Sequence, residues 1–392
     1  MRSYGPLVLM FAAAAASAAP EVPTKAPPPA AMKSPASDAA PPDVSPSERA
    51  RRLLDEALVS LTTARKLSSP DTDVIARFRA AAEMAKDSVP ALFDYAVALD
   101  RAGTLVEAEA AYRAAAGARG MDELRFAAAA RAAALAIGRA DETAARSAVQ
   151  LAAAAMPDDT DPLQLEADVA LAFGDGAGAK AAARRILAQD PQDVDALCAL
   201  ARAHLALGSP GTARVLALRA AQIDKTDSRP LLVEAEIARS RGDAAAEMVA
   251  VREAAAADED SPHAALALGR ALFERGQTGE AIDQLMHAAD LAPDAAPVHL
   301  ALGVALATVD RKPEAGEHLA TAARLSPLSP EPHYELARLQ LDGLGDAKAA
   351  LEQAKLFLHL STKTPPPGHP IHALLQRCEE ALGSRTQASV VQ

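Results

Sequence analysis

The sequence predicts an all-α fold, a solenoid of helix-turn-helix repeats with a C-terminal capping helix. Three observations predict it. Turn glycines recur at Gly174, Gly208, Gly242 and Gly276, each 34 residues from the last. Prolines that end a repeat keep the same step, at Pro157 and Pro191 and again at Pro293 and Pro327. Between these marks the apolar residues recur with a helical period. In Pro262 to Pro293, Leu268, Gly269 and Leu272 stand at i, i+1 and i+4, and Ala281, Leu285 and Ala288 at i, i+4 and i+7. Each half is therefore a helix with one buried stripe. Gly276 can adopt the positive φ that ends the first helix, and Pro293 cannot continue the second.

This phase resembles the tetratricopeptide repeat (TPR), whose 34-residue unit carries W-x2-L-G-x2-Y…A-x3-F…P. The family's large aromatics are replaced here by Ala265, Leu272 and Leu285, while the phase is kept. The resemblance implies one right-handed superhelical solenoid, each repeat burying its stripe only against its neighbours. Repeats begin at Val89, Phe126, Thr160, Val194, Ser228, Pro262, Ala296 and Pro330. A degenerate repeat from near Asp55 brings the total to about nine.

In chain order, residues 1–18 read as a signal peptide: Arg2, an apolar run from Leu7 to Ala16, then Ala16-Ser17-Ala18 as a small-x-small cleavage site. Residues 19–46 form a Pro/Ala-rich disordered linker, with Pro27-Pro28-Pro29 and Pro41-Pro42 and almost nothing large to bury. The solenoid occupies 47–364. Ser47 caps a first helix running through Leu67, and 71–87 form a second, with Val74, Phe78 and Ala81 on its buried face. Ala108 and Tyr112 take matching positions in the next repeat. Phe126 to Asp159 follows a short insertion at 117–120 and is dominated by alanine. Alanine favours helix, but a methyl contributes about 0.8 kcal/mol of burial against roughly 1.5–3 for leucine. This repeat is expected to be the softest. The repeat from Pro330 carries one extra residue near Gly343-Leu344-Gly345. Residues 365–383 hold a proline break and the capping helix, with Ile371, Leu374, Leu375 and Leu382 on one face and Gly383 ending it. A disordered tail, 384–392, follows.

Composition excludes several functions. The net charge is −12 without a basic stripe, which argues against nucleic acid and against an anionic membrane surface. The leader's apolar run is too short to span a bilayer of about 30 Å, so no membrane insertion is expected after cleavage. Cys198 and Cys378 lie about five repeats apart, far beyond the roughly 7 Å reach of a disulfide, and are expected to be free thiols. Gly174 to Lys180 imitates a phosphate loop, but Ala179 stands where the second glycine belongs and Ala181 replaces the hydroxyl. His369 and His372 have no third ligand at metal spacing and read as a solvated pair. His299 and His333, at the fourth position of their repeats, read as packing residues. Acidic runs such as Asp158-Asp159 and Asp258-Glu259-Asp260 fall at repeat junctions and read as solvated turns. Repeats, linker and leader occupy every long stretch. No catalytic residue, cofactor or metal is expected, and the chain is not expected to be an enzyme.

The resemblance implies that the first helix of each repeat lines a concave groove, through positions such as the fifth, ninth and twelfth. The fifth is Phe93, Ala130, Gln164, Cys198, Leu232, Leu266, Leu300 and Tyr334, a mostly apolar column. The ninth alternates in charge through Asp168, Arg202, Glu236, Arg270 and Arg338, and the twelfth adds Leu171, Leu205, Phe273 and Leu341. Arg202, Leu232, Leu266, Arg270, Phe273, Leu300, Tyr334 and Arg338 are the candidate partner-binding residues. The asparagine-containing carboxylate clamp of chaperone-docking TPRs cannot be built, because the chain has no asparagine. High Ala and Arg with little Lys resembles the coding bias of GC-rich bacteria. The expected protein is an exported bacterial scaffold, periplasmic or outer-envelope associated, that binds a peptide or protein in its groove. The alternative is an accessory subunit of a polysaccharide-export or secretion enzyme complex.

Overall fold

The computed structural model describes residues 72–361 and 364–390. The expected signal peptide, the linker and the helix from Ser47 to Leu67 lie outside the described residues. Eighteen α-helices and one π-helical turn are present among the described residues, and no strand. The helices form two compact units. One comprises 72–136 and 143–158, and the other comprises the residues from 159 onward with Ile137–Glu142. The division falls in the alanine-rich repeat, where methyl groups replace the larger side chains that bind neighbouring repeats elsewhere.

The N-terminal unit holds α1 (Thr72–Met84), α2 (Val89–Arg101), α3 (Leu105–Gly117), α4 (Asp122–Gly138) and α5 (Glu142–Ala155). Val74 and Phe78 of α1 pack on Ala98 of α2. The Tyr112 hydroxyl donates to Asp100 Oδ2 at 3.2 Å, and Arg131 meets the same carboxylate with two bonds of 2.7 and 3.0 Å. One half-buried acid thus ties α2, α3 and α4 together, the bidentate geometry adding direction to charge. Helix α4 starts at Asp122, four residues before the expected Phe126. Asp122 and Glu123 in its first turn suit the positive end of the helix dipole, which extends the helix toward its N-terminus.

The C-terminal unit is five regular helix pairs, a sixth with an irregularity, and a last helix. The pairs are α6/α7 (Asp161–Ala172, Gly176–Gln189), α8/α9 (Val194–Ala206, Pro210–Ile223), α10/α11 (Ser228–Ser240, Ala244–Ala257), α12/α13 (Pro262–Glu274, Thr278–Leu291) and α14/α15 (Ala296–Thr308, Lys312–Leu325). Asp193 and Ser261 cap the first helices of two of these repeats, accepting from Ala196 N at 2.8 Å and Ala264 N at 3.3 Å. Within a pair the turn takes a left-handed residue, with φ of 77, 73, 71 and 76° at Gly174, Gly208, Gly242 and Gly276. One period to either side the same conformation is imposed on residues with a side chain, Ala140 (φ 55°) and Asp310 (φ 63°). The register of the stack dictates the backbone there, against local preference.

Successive first helices touch one another as well as their own partners: α6 with α8, α8 with α10, α10 with α12, α12 with α14. They therefore form a continuous inner row. In the sixth pair α16 (Pro330–Arg338) runs into a π turn over Leu339–Gly343 before α17 (Ala347–Leu360). Leu344 N donates to Leu339 O at 3.1 Å, an i→i+5 bond. The widened turn absorbs the extra residue of this repeat, which returns α17 to register. Helix α18 (Pro370–Val390) lays Ile371, Leu374 and Cys378 on Ala350, Ala354 and Phe357 of α17. It continues through Gly383, where the sequence was expected to end it. A glycine weakens a helix interior by about 1 kcal/mol without stopping it.

Candidate functional site

The inner row tests the eight groove residues one by one. Leu232 and Leu266, expected on the surface, are buried at 5% and 6% exposure. Leu232 packs with Ala254 and Ala264, so this part of the fifth-position column is inter-helix core. Cys198 of the same column is also buried, its thiol pushed up to about 12 by burial, which disfavours the reactive thiolate. Small residues on adjacent helices bring the backbones close, so these three fifth-position side chains are covered by their neighbours.

The arginines divide in a second way. Arg202 donates to both carboxylate oxygens of Glu236 at 3.2 Å. Its partner stands 34 residues on, at the same position of the next repeat. Burial opposes the Arg202 charge, but Glu236 outweighs it through charge and hydrogen bond, and the pKa is raised. Arg229 pairs with Asp195 by the same one-repeat step. Arg338 is held at 2.7 Å by Glu335 of its own helix. Tyr334 belongs to the C-terminal cap, its ring 5.7 Å from Phe357 and 6.0 Å from His369. His369 itself is structural rather than solvated, stacking 5.4 Å from Phe357 and accepting from Ile371 N at 3.2 Å.

Three candidates remain, and they meet. Arg270, Phe273 and Leu300 line one recess of about 290 Å³, together with Arg239, Glu274, Leu285, Ala301 and Val304. Its walls come from α10, α12 and α14, with Leu285 of α13 at the back. Arg270 occupies the ninth position, but the residue one repeat on is Val304, where Arg202 has Glu236. Among the described residues Arg270 has no ion pair and no hydrogen bond. Burial, and then the nearby Arg239 charge, lower its pKa, with Glu274 opposing them. Arg239 is engaged, donating to Glu247 at 2.6 Å. Arg239 and Val304 escaped the sequence reading, although the signal was there: they are the twelfth position of the Ser228 repeat and the ninth of the Ala296 repeat.

Among the described residues no group of three or more His, Cys, Asp or Glu is placed to hold a metal ion. No helix there is long and apolar enough to cross a membrane.

The tetratricopeptide repeat family matches residues 165–230 and 266–330, from α6 to the start of α16. The two matched segments are tetratricopeptide repeats. No curated protein matches the sequence. Similar solved structures include the Cut9–Hcn1 heterotetramer of the APC/C, with 16% identity over 86% of this chain and 67% of that one, at a TM-score of 0.49. PilF of Pseudomonas aeruginosa shows 21% identity over 52% and 90% of the two chains, at 0.44. A thermophilic TPR protein of Thermus thermophilus, TTC0263, shows 24% over 48% and 98%, at 0.38.

Proposed function

We propose that the chain is a non-catalytic scaffold of the bacterial cell envelope that holds a peptide or protein partner on its inner helix row. The observation that carries the reading is the recess at Arg270, Phe273 and Leu300. An apolar seat beside a cation with no internal partner is poorly satisfied by the chain alone, and a partner improves it. Export follows from the apolar leader and its Ala16-Ser17-Ala18 site.

A photo-crosslinking residue placed at Phe273 tests the binding face, with the exposed Val215 of α9 as control. A discrete protein adduct at Phe273 and none at Val215 is expected in intact cells. Equal adducts at both, or none at Phe273, would remove the inner row as the binding surface. A glycan captured in place of a protein would support the accessory-subunit reading instead. N-terminal sequencing of the mature chain tests export: it should begin directly after Ala18, and an intact leader would contradict it.

A further inference from the structure

We propose that the recess recognises a carboxylate side chain followed directly by an aliphatic residue, within an extended segment of the partner. This deepens the binding reading and rests on it. Three observations point to that chemistry. Arg270 is half-buried and presents a guanidinium without a protein acceptor among the described residues, whereas Arg202 and Arg338 in the same column are both neutralised. A guanidinium fork fits a carboxylate with two parallel bonds. Next to it Phe273, Leu300, Ala301 and Val304 offer an apolar surface. The space, about 290 Å³, suits one or two side chains rather than a cofactor.

Charge narrows the choice to a single carboxylate. Arg239 adds positive field, but Glu247 already accepts from its Nε. Glu274 closes another side of the recess. A phosphate dianion would meet that acid with twice the charge of a carboxylate and with only one uncommitted cation, Arg270, to offset it. The acid of the partner thus stands where the Glu236 counterpart is missing, at Val304, and completes the ninth-position ladder.

The design also predicts a conflict between stability and binding. An ion without a partner costs folding free energy that a ligand recovers. Arg270→Met should therefore raise Tm of the free protein. Arg202→Met should lower it, because it leaves the Glu236 carboxylate without its partner.

The test uses the full chain and three end-blocked octapeptides: glycine chains carrying central Glu-Leu, Gln-Leu or Glu-Gly, followed by calorimetry. Glu-Leu should bind at least about tenfold more tightly than Gln-Leu, the effect of one charge-assisted pair. Glu-Gly should also be weaker. Arg270→Met should erase the Glu/Gln ratio. Equal binding of Glu-Leu and Gln-Leu would overturn the carboxylate proposal, and if Phe273→Ala then weakened both, the inner-row reading would stand without it. Failure of all three peptides to bind would overturn the proposal, and absence of the Phe273 adduct as well would remove both. A Tm lowered by Arg270→Met would contradict the unpaired cation on which it is built.

Discussion

Gly269→Ala is the sharpest test of how these repeats pack. A Cβ built on Gly269 would stand 2.7 and 2.8 Å from Leu285 Cγ and Cδ2 and 3.3 Å from Ala281 O. Carbon pairs settle at about 3.5–4.0 Å, and Leu285 is buried, at 1% exposure. Gly303 repeats the arrangement with Leu319, at 2.7 and 2.9 Å. The other repeats of this unit solve the contact differently, with Ala167 beside Ala183, Ala201 beside Ala217, Ala235 beside Val251 and Ala337 beside Ala354. Glycine thus faces leucine, and alanine faces a smaller residue. Overpacking costs about 1–3 kcal/mol, while replacing glycine by alanine in a helix gains about 1. Gly269→Ala alone should be neutral to destabilising by about 2 kcal/mol. Leu285→Ala alone should cost about 2–5 kcal/mol. Placed on Leu285→Ala, Gly269→Ala should stabilise by about 1 kcal/mol, since the clash is gone and the propensity gain remains. The assay is urea denaturation of all four chains, with amide exchange across α12 to confirm that the same helix pair responds. Effects additive within about 0.5 kcal/mol would refute the reasoning, as would a full gain from Gly269→Ala in the parent chain.

Other outcomes follow from the same coordinates. Ala140→Gly and Asp310→Gly should each stabilise by about 0.5–1 kcal/mol, because they relieve left-handed backbone at φ 55 and 63°. Gly276→Ala, at φ 76°, should destabilise by about 1 kcal/mol, and melts that moved in the opposite directions would show that the turns are not under register control. Burial raises Asp168 to about 6 from 3.8, with Arg202 and Gln164 opposing it. The folded form holds this proton more tightly than the unfolded one, so the contribution is full below pH 3.8 and is lost as pH rises through about 6. Asp168→Asn should stabilise by about 1–2 kcal/mol at pH 7.5 and flatten the loss between pH 4 and 6, whereas an unchanged pH profile would mean the carboxylate is hydrated. Amides of α4, whose buried face is alanine apart from Leu135, should exchange faster than those of α12. Equal protection would remove the alanine-rich repeat as the soft point.

Much of the architecture was legible in the chain because its signals are local and periodic. Val194, Ser228, Pro262, Ala296 and Pro330 each open a helix, as the 34-residue step required, and Val89 opens one ahead of the insertion. Prolines 157, 191, 293 and 327 each follow the end of a second helix by two residues. A periodic chain places each stripe and each turn by neighbour contacts alone, so sequence order carries this information. It also carried Arg270, Phe273 and Leu300 as residues of one face. Tertiary packing decided what that face became. Alanine and glycine let helices approach until Leu232 and Leu266 were covered, and pairing across one repeat consumed Arg202. Of the candidate arginines Arg270 alone was left unpaired beside an apolar recess, because Val304 stands where an acid would have neutralised it. Exposure and pairing depend on distances between helices, which the pattern of apolar residues does not encode.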